Sequence, residues 1–486
     1  MSPRHVSLRS GVYADSVRLM QVSRQIGERP GVTAVLVAMA TPLNLELAAG
    51  MGLSPDGGAT PDQLLIALSA TDDAALAAAV AAADAALTVR ETGGGSAAAV
   101  PPRTTGAALT GAPDPALAVV SVPGRYAAVE AADAIAAGRS VLVFSDGVPV
   151  EQEVALKRAG HEAGVLVMGP DCGTAIVSGV ALGFANAVRP GPVGLVAASG
   201  TGAQQVSCLL DVAGVGVSHV LGVGGRDLSE AVGGLATLDA LAALDADPAT
   251  ERVLLVSKPP APAVAARVQA AAEGMATPVR SALLSSGQPD LTAAVEALLA
   301  DLGIPVPPWP SRPGTAEAVP PGAVLKGFYS GGTLADEAML IATPVLGAIR
   351  SNTPLRPDLD LGTDLRARGS VVVDFGDDAL TVGRAHPMID PTLRVEAISD
   401  LAAGREPAVL LLDVVLGYGA DPDPSYSLVP ALRAAGLPSV VALIGTEADP
   451  QGWSRQADAL VEAGAAVFAS NAAATRYALD LIGGRA

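Results

Sequence analysis

Val193-Gly-Leu-Val-Ala-Ala-Ser-Gly-Thr-Gly202 reads as a short apolar strand that runs through a Ser-Gly turn into the amphipathic stretch Ala203 to Val212. The same arrangement returns later, where Ala323-Val-Leu-Lys-Gly-Phe328 leads into Ser330-Gly-Gly-Thr333 and then Leu334 to Leu346. Each turn places backbone N–H groups at the positive end of a helix, beside hydroxyls and without bulky side chains, which is the local chemistry that holds a phosphate or a carboxylate. The residues so marked are Ser199, Gly200, Thr201 and Gly202 in the first turn, and Ser330, Gly331, Gly332 and Thr333 in the second. Two such turns predict one anion handled between two related domains. An ordinary N-cap at each helix would use the same hydroxyls and stands as the plain alternative.

Around these turns the chain alternates strands and helices, the pattern of a parallel sheet with crossover helices. Residues 1–90 read as a small α+β domain, with extended His5 to Val12, helical Ser16 to Ile26, strands Val32 to Ala38 and Gln63 to Leu68, and helix Asp72 to Ala86. Residues 91–115 lose all period and read as a linker rich in Gly, Pro, Thr and Ala. Residues 116–190 form a Rossmann-like unit whose first turn, Ser121-Val-Pro-Gly-Arg125, lacks a G-x-G-x-x-G fingerprint. The third unit is 191–303, a Pro-rich linker follows over 304–321, and the fourth unit is 322–486. The third and fourth units repeat the order strand, Ser-Gly turn, helix, strand with a Gly and acidic turn (Gly224 to Asp227; Asp374 to Asp378), helix and aliphatic strand, which predicts an internal duplication.

With 486 residues, 50% of them hydrophobic, the chain suffices for three or four domains. A formal net charge of −19 opposes nucleic acid and anionic membranes as partners. No apolar run approaches the roughly 20 residues of a bilayer span. Two cysteines and an N-terminus without an apolar core segment lead to the expectation of a reduced, cytoplasmic setting.

The phrases Gly191-Pro-Val-Gly-Leu-Val-Ala-Ala-Ser-Gly-Thr201, Val223-Gly-Gly225, Asp247-Pro-Ala-Thr-Glu251 and Met168-Gly-Pro-Asp-Cys172, in that order, resemble the α subunit of succinyl-CoA synthetase over about residues 116 to 300. The remaining domain is similar to the ligase domain of the β subunit. Together with Lys326-Gly-Phe-Tyr-Ser-Gly-Gly-Thr-Leu-Ala-Asp-Glu337 and Gly383-Arg-Ala-His-Pro-Met-Ile-Asp390, the whole chain resembles the FdrA family. The resemblance implies a Rossmann-like CoA-binding-type domain, two flavodoxin-like ligase-type domains, and a subunit of a carbamoyltransferase of allantoin catabolism that converts oxalurate and phosphate to oxamate and carbamoyl phosphate. It also implies partner subunits encoded nearby, in an oligomer.

Departures from the synthetases bear on the chemistry. Those enzymes carry a phosphoryl group on an α-subunit histidine, whereas this chain has no histidine between His219 and His386. The acidic residue that supports that histidine aligns with Gln205. The N-terminal unit is also too small to be a nucleotide-grasp domain. A phosphohistidine route and ATP-driven ligation by this chain alone are therefore not expected. An ADP-forming acyl-CoA ligase subunit that borrows its nucleotide domain, and a non-catalytic regulatory protein that binds CoA or an acyl ligand, are the alternatives.

His386, with Arg384 and Asp390 in the same loop, is the candidate catalytic group, able to act as acid or base or to polarise an acyl oxygen. A loop histidine that only packs is the bland alternative. The turn Asp374-Phe-Gly-Asp-Asp378 reads as a solvated cap before it reads as a metal site, and no metal is expected. Coenzyme A is the one cofactor left open. Cys172 and Cys208 have no metal or redox spacing, and Lys258 at a strand end is either a cleft cation or solvated.

Overall fold

The computed structural model describes residues 3–10, 16–55, 57–88, 102–113, 116–315, 319–320, 322–362, 364–365, 367–401 and 406–483. They divide into two units, Met1–Pro101 with Val382–Ala385, and Pro102–Thr381 with His386–Ala486. The first unit contains β1 (Arg4–Arg9), α1 (Ser16–Gly27), β2 (Val32–Met39), α2 (Pro42–Gly50), β3 (Leu64–Ala70) and α3 (Asp73–Thr88). Its antiparallel sheet has the order β1-β3-β2. Because side chains alternate across a strand, Leu64, Ile66 and Leu68 of the central β3 enter one core with Leu19, Ile26 and Ala83, while Leu65 and Ala67 enter a second with Ala48 and Leu53. Helix α2 is an addition to the sequence reading. Its apolar residues lack a helical period, but Thr41 accepts from the Asn44 N–H and Pro42 sits in the first turn.

The second unit opens with α4 (Thr105–Thr110), which lies inside the stretch read as a linker. Thr104 caps it and Leu109 is buried, so part of that stretch is packed structure; residues 91–101 lie outside the described residues. Next come β4 (Leu117–Val120), α5 (Gly124–Ala136), β5 (Ser140–Val143), α6 (Val150–Ala163) and β6 (Val167–Met168), which make a three-stranded parallel sheet.

Strands β7 (Thr174–Val177) and β8 (Val180–Gly183) form a hairpin. They do not complete the Rossmann-like sheet, as a boundary at 190 requires. Instead β7 pairs antiparallel with a later strand, through Ile176 and Val220, and extends the next sheet. That sheet is built from β9 (Pro190–Ala198), α7 (Gly200–Val212), β10 (Val217–Gly222), α8 (Leu235–Asp245), β11 (Arg252–Ser257), α9 (Pro262–Glu273), β12 (Val279–Leu283) and α10 (Leu291–Asp301), in the order β12-β11-β9-β10-β7-β8.

The last sheet uses β13 (Ser311–Arg312), β14 (Val324–Tyr329), α11 (Gly332–Leu346), β15 (Arg350–Ser351), β16 (Val371–Asp374), α12 (Asp378–Thr381), α13 (Thr392–Leu401), β17 (Ala408–Val415), α14 (Pro424–Ala435), β18 (Ser439–Ile444), α15 (Trp453–Glu462), β19 (Ala466–Phe468) and α16 (Asn471–Ile482). Its order is β13-β19-β18-β17-β14-β16-β15, so the segment read as the second linker donates an edge strand, β13.

Numbered within each repeat and leaving aside the two-residue edge strand β15, the parallel strands run 2-1-3-4 in the earlier sheet and 2-1-3-4-5 in the later one, the flavodoxin-like order. The shared order is the structural counterpart of the repeat seen in the sequence. Helices α7 and α11 follow strand 1 of each repeat, at the point where the chain reverses its direction of travel across the sheet and where such folds bind ligands. Both helices are buried around most of their circumference, and residues from both repeats, among them Leu209, Val256, Leu334, Ala338 and Leu479, share one core. That shared core fixes one helix start against the other.

Candidate functional site

The two turns meet. Ser199 Oγ donates to Thr333 Oγ1 at 2.7 Å. A β-carbon on Gly331 would stand 2.3 Å from Thr201 Oγ1, so only glycine lets the second turn come this close to the first. All eight residues predicted from the turn chemistry therefore occupy one junction at the C-terminal edges of two sheets.

Not every N–H is free. Ser199 Oγ accepts from Gly202 N at 2.9 Å, which is an N-cap, and both the N–H and the hydroxyl of Ser330 donate to Asp413 Oδ1 at 2.7 and 2.9 Å. Gly202 and Ser330 are thus removed from the set of free donors, because internal acceptors already satisfy them. The N–H groups of Gly200, Thr201, Gly332 and Thr333 take no acceptor among the described residues, and α11 has no side-chain cap. Four donors at two positive helix ends remain.

Charges crowd the same place. Lys258, just past the end of β11, reaches the first turn of α11. A β-carbon on Gly332 would lie 2.6 Å from Lys258 Nζ and 2.5 Å from Asp374 Oδ2. Asp336 Oδ2 is 3.7 Å from the same ammonium. Burial pushes Asp374 up to about 7 and Asp336 up to about 6, against the pull of Lys258 on both. Asp171, in the Gly-Pro-Asp turn, is also driven up to about 7, by the protein packed around it and then by Asp378 and Asp146. Its side chain remains exposed, so water moderates that shift. Near neutral pH Asp374 and Asp336 are partly protonated and repel an anion less than two full charges would.

Asp413 is held by Arg394 Nη1 at 2.8 Å, and both are buried. Arg394 Nε and Asp413 Oδ2 have no hydrogen-bond partner among the described residues. Nearby, Gln205 has turned from a charge site into a clamp. Its Nε2 donates to the Ala469 carbonyl at 2.8 Å, and its Oε1 accepts from Asn471 N at 3.0 Å. Asn471 in turn donates to Leu334 O and to Glu337 Oε2, and Glu337 takes Leu291 N.

The loop trio divides between the two units. His386 is inside: a β-carbon on Gly376 would stand 2.8 Å from His386 Nε2 and 2.6 Å from the Ser330 carbonyl oxygen. Its Nδ1 accepts from Met388 N, its ring lies 5.6 Å from that of Phe184, and burial lowers it to about 4, which leaves the ring neutral at pH 7. Arg384 falls in the other unit, with Val382–Ala385. The exposed Asp390 is spent on the start of α13, where it accepts from Thr392 N at 3.0 Å. The residues that sequence reading passed over, Asp336 and Asp413, lie one turn into α11 and inside β17; a carboxyl within an otherwise aliphatic strand was the available signal for Asp413.

Cys172 and Cys208 are buried free thiols. Among the described residues no group of three His, Cys, Asp or Glu is placed to hold a metal ion, and no helix is long and apolar enough to cross a membrane. At the Rossmann-like turn, Gly124 is pressed on the Asp146 carbonyl and α5 begins without a side-chain cap. The turn has no glycine-rich cradle, and its cation, Arg125, lies over the Tyr126 ring at 4.7 Å.

Residues 1–101 match the family described as AllF, heavy metal-associated domain, and residues 328–481 match the family described as CoA-ligase. Both cysteines of the chain lie outside residues 1–101, so this domain offers no thiolate to a heavy metal. The protein YahF of Escherichia coli (strain K12) is 36% identical over 496 residues, spanning 96% of this chain and 96% of YahF. The succinate–CoA ligase [ADP-forming] subunit alpha 1 of Archaeoglobus fulgidus is 33% identical over 144 residues, 29% of this chain and 48% of that subunit. A solved structure of the Ca. Korarchaeum cryptofilum dinucleotide-forming acetyl-coenzyme A synthetase 1 with phosphate and ADP aligns over 76% of this chain and 86% of its own, with a TM-score of 0.28 and 17% identity.

Proposed function

We propose, on the premise that the chain belongs to the family of YahF within the succinyl-CoA synthetase-like superfamily, that it is a subunit of an oxamate carbamoyltransferase. In this reading the paired turns hold phosphate while it attacks the carbamoyl carbon of oxalurate, giving carbamoyl phosphate and oxamate. The observation that carries it is the junction of two helix starts, tied by Ser199 to Thr333 at 2.7 Å, in a chain with no histidine from His219 to His386. A synthetase uses such a junction to receive a phosphohistidine; without one, the natural occupant is free phosphate.

Gly200, Thr201, Gly332 and Thr333 supply the N–H donors, the helix ends supply positive potential, and Lys258 adds a full charge. His386, neutral, is a hydrogen-bonding group and not a phosphate carrier. The transfer needs neither ATP nor a phosphoenzyme. The similarity of residues 1–101 to the AllF domain supports a place in ureide catabolism. Partner subunits complete the activity.

The similarity of part of the chain to a succinate–CoA ligase α subunit favours a second reading, an ADP-forming acyl-CoA ligase subunit. The test is to co-purify the protein with the products of adjacent genes and assay phosphate-dependent cleavage of oxalurate beside ATP-dependent acyl-CoA formation. Carbamoyl phosphate appearing only with phosphate present is the expected result. Acyl-CoA formation without it overturns the carbamoyltransferase reading.

A further inference from the structure

Asp374 closes β16 directly opposite the start of α11, and its backbone is pinned on both sides by one side chain: Asn352 Nδ2 donates to Asp374 O and Asn352 Oδ1 accepts from Asp374 N, each at 2.9 Å. Only 5% of the residue is exposed. Oδ1 takes the Gly376 N–H at 2.9 Å. Oδ2 takes no hydrogen bond among the described residues and lies 2.5 Å from the place a β-carbon on Gly332 would fill, with Lys258 Nζ 2.6 Å from the same place, at the helix end that carries the free N–H groups of Gly332 and Thr333. A rigidly held carboxyl thus aims its unpartnered oxygen at the place where the phosphate of the proposed reaction would sit.

We propose that Asp374 is the proton carrier of this site, with Lys258 as its charge partner. The inference rests on the phosphate-dependent carbamoyl transfer proposed above. An oxygen of HPO₄²⁻ forms a bond to the carbamoyl carbon, and the bond from that carbon to the oxalurate nitrogen breaks. The departing nitrogen keeps the electron pair and takes the carboxyl proton of Asp374. The phosphate O–H then returns its proton to the Asp374 carboxylate. The net change is one proton moved from phosphate to the oxamate amide, with no oxidant, reductant or nucleotide.

The groups that face Asp374 are Lys258 beyond β11, Asp336 on α11, Asp413 with Arg394 from β17 and α13, Asp377 in its own turn, and His386 across Gly376. Burial is the largest influence on Asp374 and brings it up to about 7, where both protonation states are populated and proton transfer is most effective.

The experiment titrates the full chain with inorganic sulfate, whose charge is constant where phosphate itself titrates, from pH 5.5 to 9. Wild-type affinity is expected to fall by on the order of tenfold as Asp374 ionises beside the bound anion. Asp374→Asn, which keeps an acceptor for the Gly376 N–H, should lessen the slope to the part that Asp336 contributes and bind sulfate more tightly than wild type at pH 9. Lys258→Met should weaken binding at every pH, which separates loss of charge from loss of fold. In the assembled complex Asp374→Asn should lower turnover by about 10²- to 10⁴-fold. Sulfate binding by both proteins with the same pH slope, or unimpaired turnover, overturns the assignment of Asp374 and leaves the anion site standing. Absence of sulfate binding to the wild type at any pH overturns both.

Discussion

At the scale of single residues, the hydroxyls at the junction separate into two jobs. Ser199 serves as cap and cross-link at once, since it accepts from Gly202 N and donates to Thr333 Oγ1. Among the described residues Thr201 makes no hydrogen bond with its hydroxyl, which packs on Gly331. Thr201→Val should therefore leave the melting temperature nearly unchanged while weakening phosphate binding. Thr333→Val gives up one neutral hydrogen bond, about 1 kcal/mol, and Ser199→Ala gives up the cap as well, about 1–2 kcal/mol. Calorimetric titration with phosphate beside thermal melts decides the matter: unchanged affinity with a lowered melting temperature would leave these hydroxyls as caps alone. His386 invites a different test. Half-buried beside Phe184 and held neutral, it should take no stable phosphoryl group from labelled ATP or carbamoyl phosphate, and His386→Asn should lower turnover of the assembled complex by on the order of 10²-fold. A stoichiometric acid-labile label would restore the ligase reading.

At the scale of elements, helices α7, α11 and α16 are locked by amide and carboxyl groups rather than by charge alone. Gln205 must donate to the Ala469 carbonyl and accept from Asn471 N, a task that a carboxylate cannot perform. Gln205→Glu, which restores the residue type of the synthetases, should thus lose a buried donor, set a negative charge against a carbonyl, and cost about 3 kcal/mol in urea unfolding. Equal or greater stability would show that the clamp is not made. The strand–turn–helix units were legible because their signals are local: an apolar run of about six residues, then Ser-Gly, then a helical period. The hairpin β7–β8 was not, since its pairing partner Val220 lies more than 40 residues downstream and nothing in Thr174–Gly183 names the sheet it joins. Asp374 and Lys258 were legible as charged residues at strand ends, but their convergence on Gly332 depends on two separate sheets. With Gly124 closed against Asp146 and no cradle, coenzyme A should bind more weakly than micromolar, and a micromolar constant by calorimetry would refute this.

At the scale of the whole molecule, the buried acids set how stability responds to pH. Asp374, Asp336 and Glu337 are raised by burial to about 7, 6 and 7. A carboxyl whose folded value lies above its unfolded one holds its proton longer in the folded chain. Between roughly pH 4 and 7 the folded state therefore binds more protons than the unfolded state, and stability falls as pH rises through that window. His386 works the other way. Lowered to about 4, it leaves the unfolded chain with the extra proton between about pH 4 and 6.5, so its contribution is lost on acidification. Three acids outweigh one histidine, and the formal charge of −19 adds self-repulsion that grows as more carboxylates ionise. The melting temperature should accordingly be higher near pH 5.5 than near pH 8. Moderate salt should recover part of the loss at pH 8 by screening the surface charge, but not the part that comes from the buried acids. Asp374→Asn removes one of those acids and should reduce the drop between the two pH values. Melts that are flat or rise from pH 5.5 to 8 would mean that Asp374, Asp336 and Glu337 keep ordinary carboxyl behaviour, and with it the proton-carrying role of Asp374 would lose its physical basis.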